Sequence, residues 1–349
     1  MNRERGVMSN HLTPTARIVA KKLWLLAMLI AFCAGCPAWA QDEVITSARA
    51  LGGGNIFGLD RSSTAVFENP GSLNPNALDV GILQANYLNG ESRFWAASIA
   101  VPFFEDMNLG AGLTWAQVPN VPMTDVDMNG EFTQTGDMTY ESMMIRAVGS
   151  KRVGEGLSIG ASVNYLKRAF GSYTGAGWSL DVGAVYVEPA FTIAATLKNG
   201  LAKLIYTDGA EELIAKQGIL SGGFALPFWR DVSLLAQATF MSQIAPAKAV
   251  GLEYVPPFEN KWLTLRAGWR ELWVINHFTT ALSLGVSLKL REIAVHYAMQ
   301  PSEYFSQGLQ HYISVNLTFD TDRPPVVTQG GASPATELSM VPAANRVLN

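Results

Sequence analysis

The chain has 349 residues, of which 48% are hydrophobic and only 15% charged, with two cysteines and a net charge of −4. Soluble domains carry about 25% charged residues, so the deficit, with a mean hydropathy of +0.14, points to a surface that is not wholly wetted. Mild acidity excludes a nucleic-acid binder, which needs a basic stripe, and two cysteines exclude a disulfide-built scaffold.

Residues 1–40 read as a secretory signal peptide. Lys21 and Lys22 precede an apolar run from Leu23 to Ala34, and Ala38-Trp39-Ala40 follows. A basic region, a short apolar core and an A-x-A site are the three parts of such a signal. Cleavage after Ala40 is expected; acylation at Cys36, after Ala34-Gly35, is the alternative. The segment holds five of the 25 basic residues and one of the 29 acidic ones, so the remainder has 20 against 28 and a net charge of −8. Both cysteines, Cys33 and Cys36, lie within it.

No later segment approaches the roughly 18 uninterrupted apolar residues of a membrane helix. Period-2 alternation recurs instead. Leu157, Ile159, Ala161, Val163 and Tyr165 alternate with Ser158, Gly160, Ser162 and Asn164, and comparable runs follow through Ile313, Val315, Leu317 and Phe319. Fourteen strands are predicted, at 78–88, 92–104, 107–117, 138–152, 156–169, 176–188, 190–198, 215–226, 230–241, 247–256, 261–270, 278–290, 292–300 and 310–319. Lengths of about 9–13 suit tilted membrane strands. One face of nearly every strand is apolar and the other small or polar, which predicts an all-β, transmembrane antiparallel barrel with lipid outside and a polar lumen.

Outward connections of such barrels are long and inward ones short. Two long connections, 118–137 and 199–214, fall on one side, and the tight turns Glu105-Asp106, Gly154-Glu155, Glu188-Pro189 and Arg291 on the other. Trp95, Phe103, Trp115, Tyr165, Trp178, Tyr186, Trp262 and Trp269 are expected to form interfacial girdles. Residues 320–349, rich in Pro and Gly and without periodicity, read as a disordered periplasmic tail.

Inward-phase ionisable residues are Arg146, Asp181, Lys198, Glu253, Arg266, Arg270 and Lys289, with His296 among them. Glu253 and Arg266 lie on adjacent strands and are placed to pair. These residues serve either lumen pairing or a ligand headgroup. Asp125-x-Asp127-x-Asn129-Gly130 copies the first half of a calcium loop but lacks the closing Glu, Gly136 standing in its place. His277, His296 and His311 show no metal-ligand spacing. No nucleophile motif is present, so no enzyme activity and no cofactor are expected.

Ahead of the first strand runs Ala48-Arg49-Ala50-Leu51-Gly52-Gly53-Gly54-Asn55, then Asp60 to Leu73 with Phe67-Glu68-Asn69-Pro70-Gly71 at its centre. This resembles the N-terminal signature of the FadL superfamily of outer-membrane barrels: a glycine-rich segment, an acidic-small run, then Asn-Pro-Ala-x-Leu. Gly177-Trp178-Ser179-Leu180-Asp181-Val182-Gly183, Gly251-Leu252-Glu253-Tyr254 and Leu265-Arg266-Ala267-Gly268-Trp269 are similar to strands of its PorV/PorQ branch. Gly71 stands where the family has Ala, and the chain continues 30 residues past Phe319. The resemblance, over about residues 45–319, implies a fourteen-strand barrel (78–319) with residues 41–77 tucked into the lumen as a hatch.

Hatch residues singled out on this basis are Gly52, Gly53, Gly54, Phe57, Phe67, Asn69 and Pro70. Their glycines permit close backbone turns, and Asn69-Pro70 stops a helix. The hatch either gates or only plugs. The family implies transport of hydrophobic small molecules across the outer membrane, with membrane lipid as surroundings. The alternative is a PorV-like cargo-binding or shuttle component of type IX secretion, with secretion-system proteins as partners.

Overall fold

The computed structural model describes residues 46–319 apart from 76, 88–91, 127–129, 242–243, 259, 275–276 and 302–307. The signal peptide, with Cys36, and the 320–349 tail lie outside the described residues. Sixteen strands follow a short helical segment: β1 (Leu78–Tyr87), β2 (Ser92–Phe104), β3 (Met107–Val126), β4 (Phe132–Gly154), β5 (Leu157–Phe170), β6 (Tyr173–Glu188), β7 (Phe191–Lys198), β8 (Lys203–Tyr206), β9 (Glu211–Leu213), β10 (Gln217–Leu226), β11 (Trp229–Met241), β12 (Ile244–Tyr254), β13 (Leu263–Val274), β14 (His277–Leu290), β15 (Ile293–Pro301) and β16 (Leu309–Phe319). Sequential neighbours pair antiparallel from β1 to β7 and from β10 to β16, β7 pairs with β10, β8 pairs with β6 and β9, and β1 pairs with β16 over nine positions from Leu78↔Phe319 to Asn86↔His311. Fourteen strands thus close into a barrel without an edge, the arrangement that satisfies every backbone group in lipid.

Alternation sets the two faces. Val163 is 48% exposed while its neighbour Asn164 is fully buried, and the same contrast separates Ile99 from Ser98 and Ile313 from Ser314. Apolar side chains therefore belt the outside and small or polar ones line the inside. A closed barrel with such a belt belongs in the bacterial outer membrane, where its lipid-facing residues lose contact with water.

Aromatic pairs mark both rims. Trp95 and Trp115 stand opposite each other at one end, with Tyr165 5.1 Å from Trp178. At the other end Phe191 lies 6.1 Å from Tyr186 and 6.4 Å from Phe224, and Phe258 lies 5.4 Å from Trp262. Phe103 joins Phe104 there. Trp269 stands near the middle of β13 rather than at a rim.

Two expected loops contain structure. β3 and β4 extend to 20 and 23 residues and build a hairpin far beyond the roughly 10 residues that span a bilayer. Pro119, Asn120 and Pro122 disguised it; the ladder absorbs them in irregularities at Val118/Val121 and Met123/Thr124, with Asn120 at φ 56°. In the 199–214 connection β8 and β9, of four and three residues, prolong the β7–β10 hairpin past an irregular step. Runs that short show no periodicity. The long hairpins rise from one end and the turns at 105–106, 155–156, 189–190 and 291–292 close the other, so the short-turn end is periplasmic.

Candidate functional site

Residues 46–75 lie inside the barrel. Ser47 caps helix α1 (Ala48–Gly52), its hydroxyl accepting from Ala50 N at 3.0 Å. Helix α2 (Ala65–Glu68) ends at Asn69, and Pro70–Ser72 forms a 3-10 turn. Leu51, Val66, Phe67 and Leu73 pack with the inward residues Leu83, Ala96, Val148, Ala298 and Tyr312, so the hatch is the core of this protein.

The wall receives the hatch on glycines. A Cβ on Gly251 or Gly268 would run into the backbone of Gly53 and Gly54, and one on Gly285 would lie 2.8 Å from Gly52 Cα. Gly251 and Gly268 are register partners on β12 and β13. On the opposite wall Gly160 and Gly183, partners on β5 and β6, accept the Asn69-Pro70-Gly71 turn. Gly110 and Gly112 on β3 make room for Val66 and the Phe67 ring. The glycine triplet Gly52-Gly53-Gly54 reads from sequence as a turn element, but the strand glycines that receive the hatch, Gly183, Gly251 and Gly268 among them, carry no such role in the sequence alone. Their signal was glycine at inward phase on neighbouring strands.

Polar contacts fix the same turn. Asn69 Nδ2 donates to Ala184 O (3.1 Å) and Ala195 O (3.3 Å), and Asn69 Oδ1 accepts from Gly71 N at 2.8 Å. Arg146 Nη1 donates to Val66 O (3.1 Å) and Phe67 O (3.0 Å), and Lys198 Nζ donates to Phe67 O at 2.9 Å. Two wall cations thus cap the carbonyl end of α2, where the helix carries its partial negative charge. Lys198 also sits 4.5 Å over the Phe57 ring, and Phe57 N donates to Gln237 Oε1 at 2.7 Å. Asp181 holds Arg146 at 3.2 Å and accepts from Asn199 N at 2.8 Å. It therefore ties the hatch clamp to the start of the β7–β8 step.

The predicted inward residues Glu253, Arg266, Arg270 and His296 form separate groups on β12 to β15. Glu253 Oε2 accepts from Arg266 Nε at 2.7 Å across the β12–β13 ladder. Arg266 also donates to Ser287 Oγ, which lies 2.6 Å from His296 Nδ1. Arg270 Nη2 donates to Gln300 Oε1 at 3.0 Å. Lys289 is exposed at the periplasmic end of β14. Of the calcium candidates, Asp125 lies at the end of β3 and accepts from Val126 N at 2.8 Å; Asp127 and Asn129 lie outside the described residues. Among the described residues no group of three or more His, Cys, Asp or Glu could hold a metal ion.

Three ionisable groups of the N-terminal signature, Arg49, Asp60 and Glu68, have no individual role in the sequence because nothing local distinguishes them. Arg49 pairs with Asp60 at 2.7 Å. Burial pushes the Asp60 carboxyl up, but the Arg49 charge and donors from Thr64 and Ser62 outweigh it and hold it well below the usual carboxylate range. Glu68 accepts from Thr46 Oγ1 (2.9 Å) and Gly58 N (3.1 Å). Burial, with the charge of Asp60, pushes its carboxyl up to about 7. Between hatch and wall at the periplasmic end lies a half-open cleft of about 70 Å³, bordered by Ile56, Leu59 and Leu235 and by these charged groups.

No protein-family model and no curated protein matches the chain. Solved structures do. The toluene transporter TodX of Pseudomonas putida superposes with TM-score 0.53 at 15% identity, covering 81% of this chain and 97% of its own. The toluene transporter TbuX of Ralstonia pickettii gives 0.51 at 15%, covering 78% and 98%. A FadL homologue of Pseudomonas aeruginosa gives 0.54 at 12%, covering 80% and 100%. At these identities the likeness is one of fold: the chain is a fourteen-strand outer-membrane barrel of the architecture these proteins share.

Proposed function

We propose that the protein carries hydrophobic small molecules across the outer membrane, through a lumen that the 41–77 hatch closes and, by moving, opens. The observation that carries this reading is how the hatch is held. Beside the apolar packing of Leu51, Val66, Phe67 and Leu73, it is held by glycine-to-backbone seats and by hydrogen bonds worth about 1 kcal/mol net each, and residues 41–349 contain no cysteine that could cross-link it to the wall. Contacts of this kind, all non-covalent, let the segment exchange partners and move, as a displaceable plug requires. The named activities of TodX and TbuX, toluene transport, fit this reading.

Uptake by cells producing the full chain tests it. Labelled apolar compounds enter faster than in cells without the protein, while a polar sugar of similar mass does not. Equal enhancement for both would mark a general pore and refute the reading.

The PorV/PorQ branch and a place in type IX secretion form the second reading. The projecting β3–β4 hairpin supports it, with Met123, Val126 and Phe132 exposed on an arm that no lipid covers. Cargo copurifying with the wild type, and lost when 119–136 is replaced by a short turn, favours this reading.

A further inference from the structure

The periplasmic cleft has an unusual charge balance. Its apolar floor is Leu59 and Leu235, whose methyl groups both lie over Gly223, together with Ile56. Around that floor stand two guanidinium groups and three carboxyls. Each guanidinium already faces a carboxylate at 2.7 Å, Arg49 with Asp60 and Arg266 with Glu253. The third carboxyl, Glu68, is held by the neutral donors Thr46 Oγ1 and Gly58 N. The lining therefore offers no uncompensated cation and carries an excess of negative charge whenever Glu68 is ionised.

We propose that this cleft is a binding site for neutral apolar molecules on the periplasmic side of the hatch, and that its carboxyl excess rejects carboxylate-bearing ones such as fatty-acid anions. This deepens the transport reading and rests on it. An incoming carboxylate must either displace Asp60 or Glu253 from its arginine or lie beside like charge in a site that water only partly screens. A neutral ring or alkyl end meets only the Ile56–Leu59–Leu235 floor. At about 70 Å³ the cleft is roughly half the size of an enclosed cavity that takes benzene. It thus seats one end of a ligand and leaves the rest at its open mouth.

Radiolabelled toluene and octanoate serve as probes, offered to cells producing the full chain at pH 7.5, with barrel folding checked by resistance to unfolding in detergent without heating. Toluene uptake rises over cells lacking the protein, and octanoate uptake rises at least about tenfold less, the effect of about 1.4 kcal/mol of like-charge repulsion. Leu235→Trp fills the cleft without altering charge and lowers toluene uptake. Glu253→Gln frees Arg266 and raises octanoate uptake. Octanoate entering as readily as toluene, or Leu235→Trp leaving toluene uptake unchanged, overturns the inference while transport stands. If neither compound enters above the background, the transport reading falls with it.

Discussion

Gly71→Ala restores the residue the FadL signature usually has, and it should loosen the hatch. A Cβ at residue 71 would lie 2.7 Å from Gly183 O, 2.8 Å from Gly183 C and 2.9 Å from Ala184 Cα. All three are wall backbone, held in the β5–β6–β7 ladder, so the wall cannot yield cheaply. Ordinary contact begins at 3.4 Å, so the turn must retreat by about 0.7 Å, which strains its Asn69 hydrogen bonds to Ala184 O and Ala195 O. Overpacking of this kind costs about 1–3 kcal/mol. The lost backbone freedom of glycine works the other way by about 0.4–1 kcal/mol. The clash wins, and the undocked hatch gains about 1–2 kcal/mol, a population rise of about 5- to 30-fold. Residues 41–349 contain no cysteine, so Ser63→Cys, at a position fully buried in the docked hatch, reports undocking by its rate of maleimide labelling. Gly154→Ala, where an added Cβ meets nothing within 4 Å, is the control. If Gly71→Ala labels no faster than Gly154→Ala, the glycine-seat account is wrong.

Docking of the hatch should also depend on pH. Burial, with the charge of Asp60, raises Glu68 from its ordinary 4.5 to about 7 against the opposing charge of Arg49, so the docked state binds the extra proton. Its contribution is complete below about pH 4.5 and fades as pH rises through 7, by up to about tenfold per unit. Asp60, whose carboxyl is lowered, acts with opposite sign only below its ordinary 3.8. Labelling of Ser63→Cys, corrected for thiolate fraction, is expected to quicken from pH 5.5 to 8, and Glu68→Gln to flatten the profile; a flat profile in the parent contradicts the assignment. Asp181→Asn leaves Arg146 without its buried carboxylate and costs about 3–5 kcal/mol. Proteolysis at the 207–210 turn and Ser63→Cys labelling should rise together, and a change in only one would break the proposed link between them. Ile99→Arg puts a charge on the lipid face and should lower barrel stability in a bilayer by about 2–4 kcal/mol, measured by urea titration in vesicles; a neutral outcome would place Ile99 away from lipid.

Much of the barrel was legible because each strand is patterned independently by its two surroundings. Leu157 to Tyr165 alternates so cleanly that phase assigned Asn164 inward and Val163 outward without a fold. The hatch was legible through its resemblance and its turn chemistry at Asn69-Pro70. What could not be read was complementarity. Gly251, Gly268 and Gly285 look like weak strand residues until the Gly52-Gly53-Gly54 backbone is laid on them. Lys198 and Arg146 look like generic lumen charges until the carbonyls of Val66 and Phe67 arrive. Arg49, Asp60 and Glu68 acquire meaning only from the cleft they border. Each depends on contacts across tens or hundreds of residues, which periodicity does not encode.

The direct test of the central claim is to lock the hatch. A Cβ at residue 81 would lie 2.9 Å from Ser63 Oγ, close to the roughly 3 Å from Cβ to the far sulfur across a disulfide. Ser63→Cys with Gly81→Cys should therefore staple the hatch to β1 under oxidation. Uptake of a labelled apolar compound is measured before and after reduction in the same cells. The account predicts uptake near background in the fully cross-linked protein and recovery on reduction; undiminished uptake with the cross-link complete would contradict it.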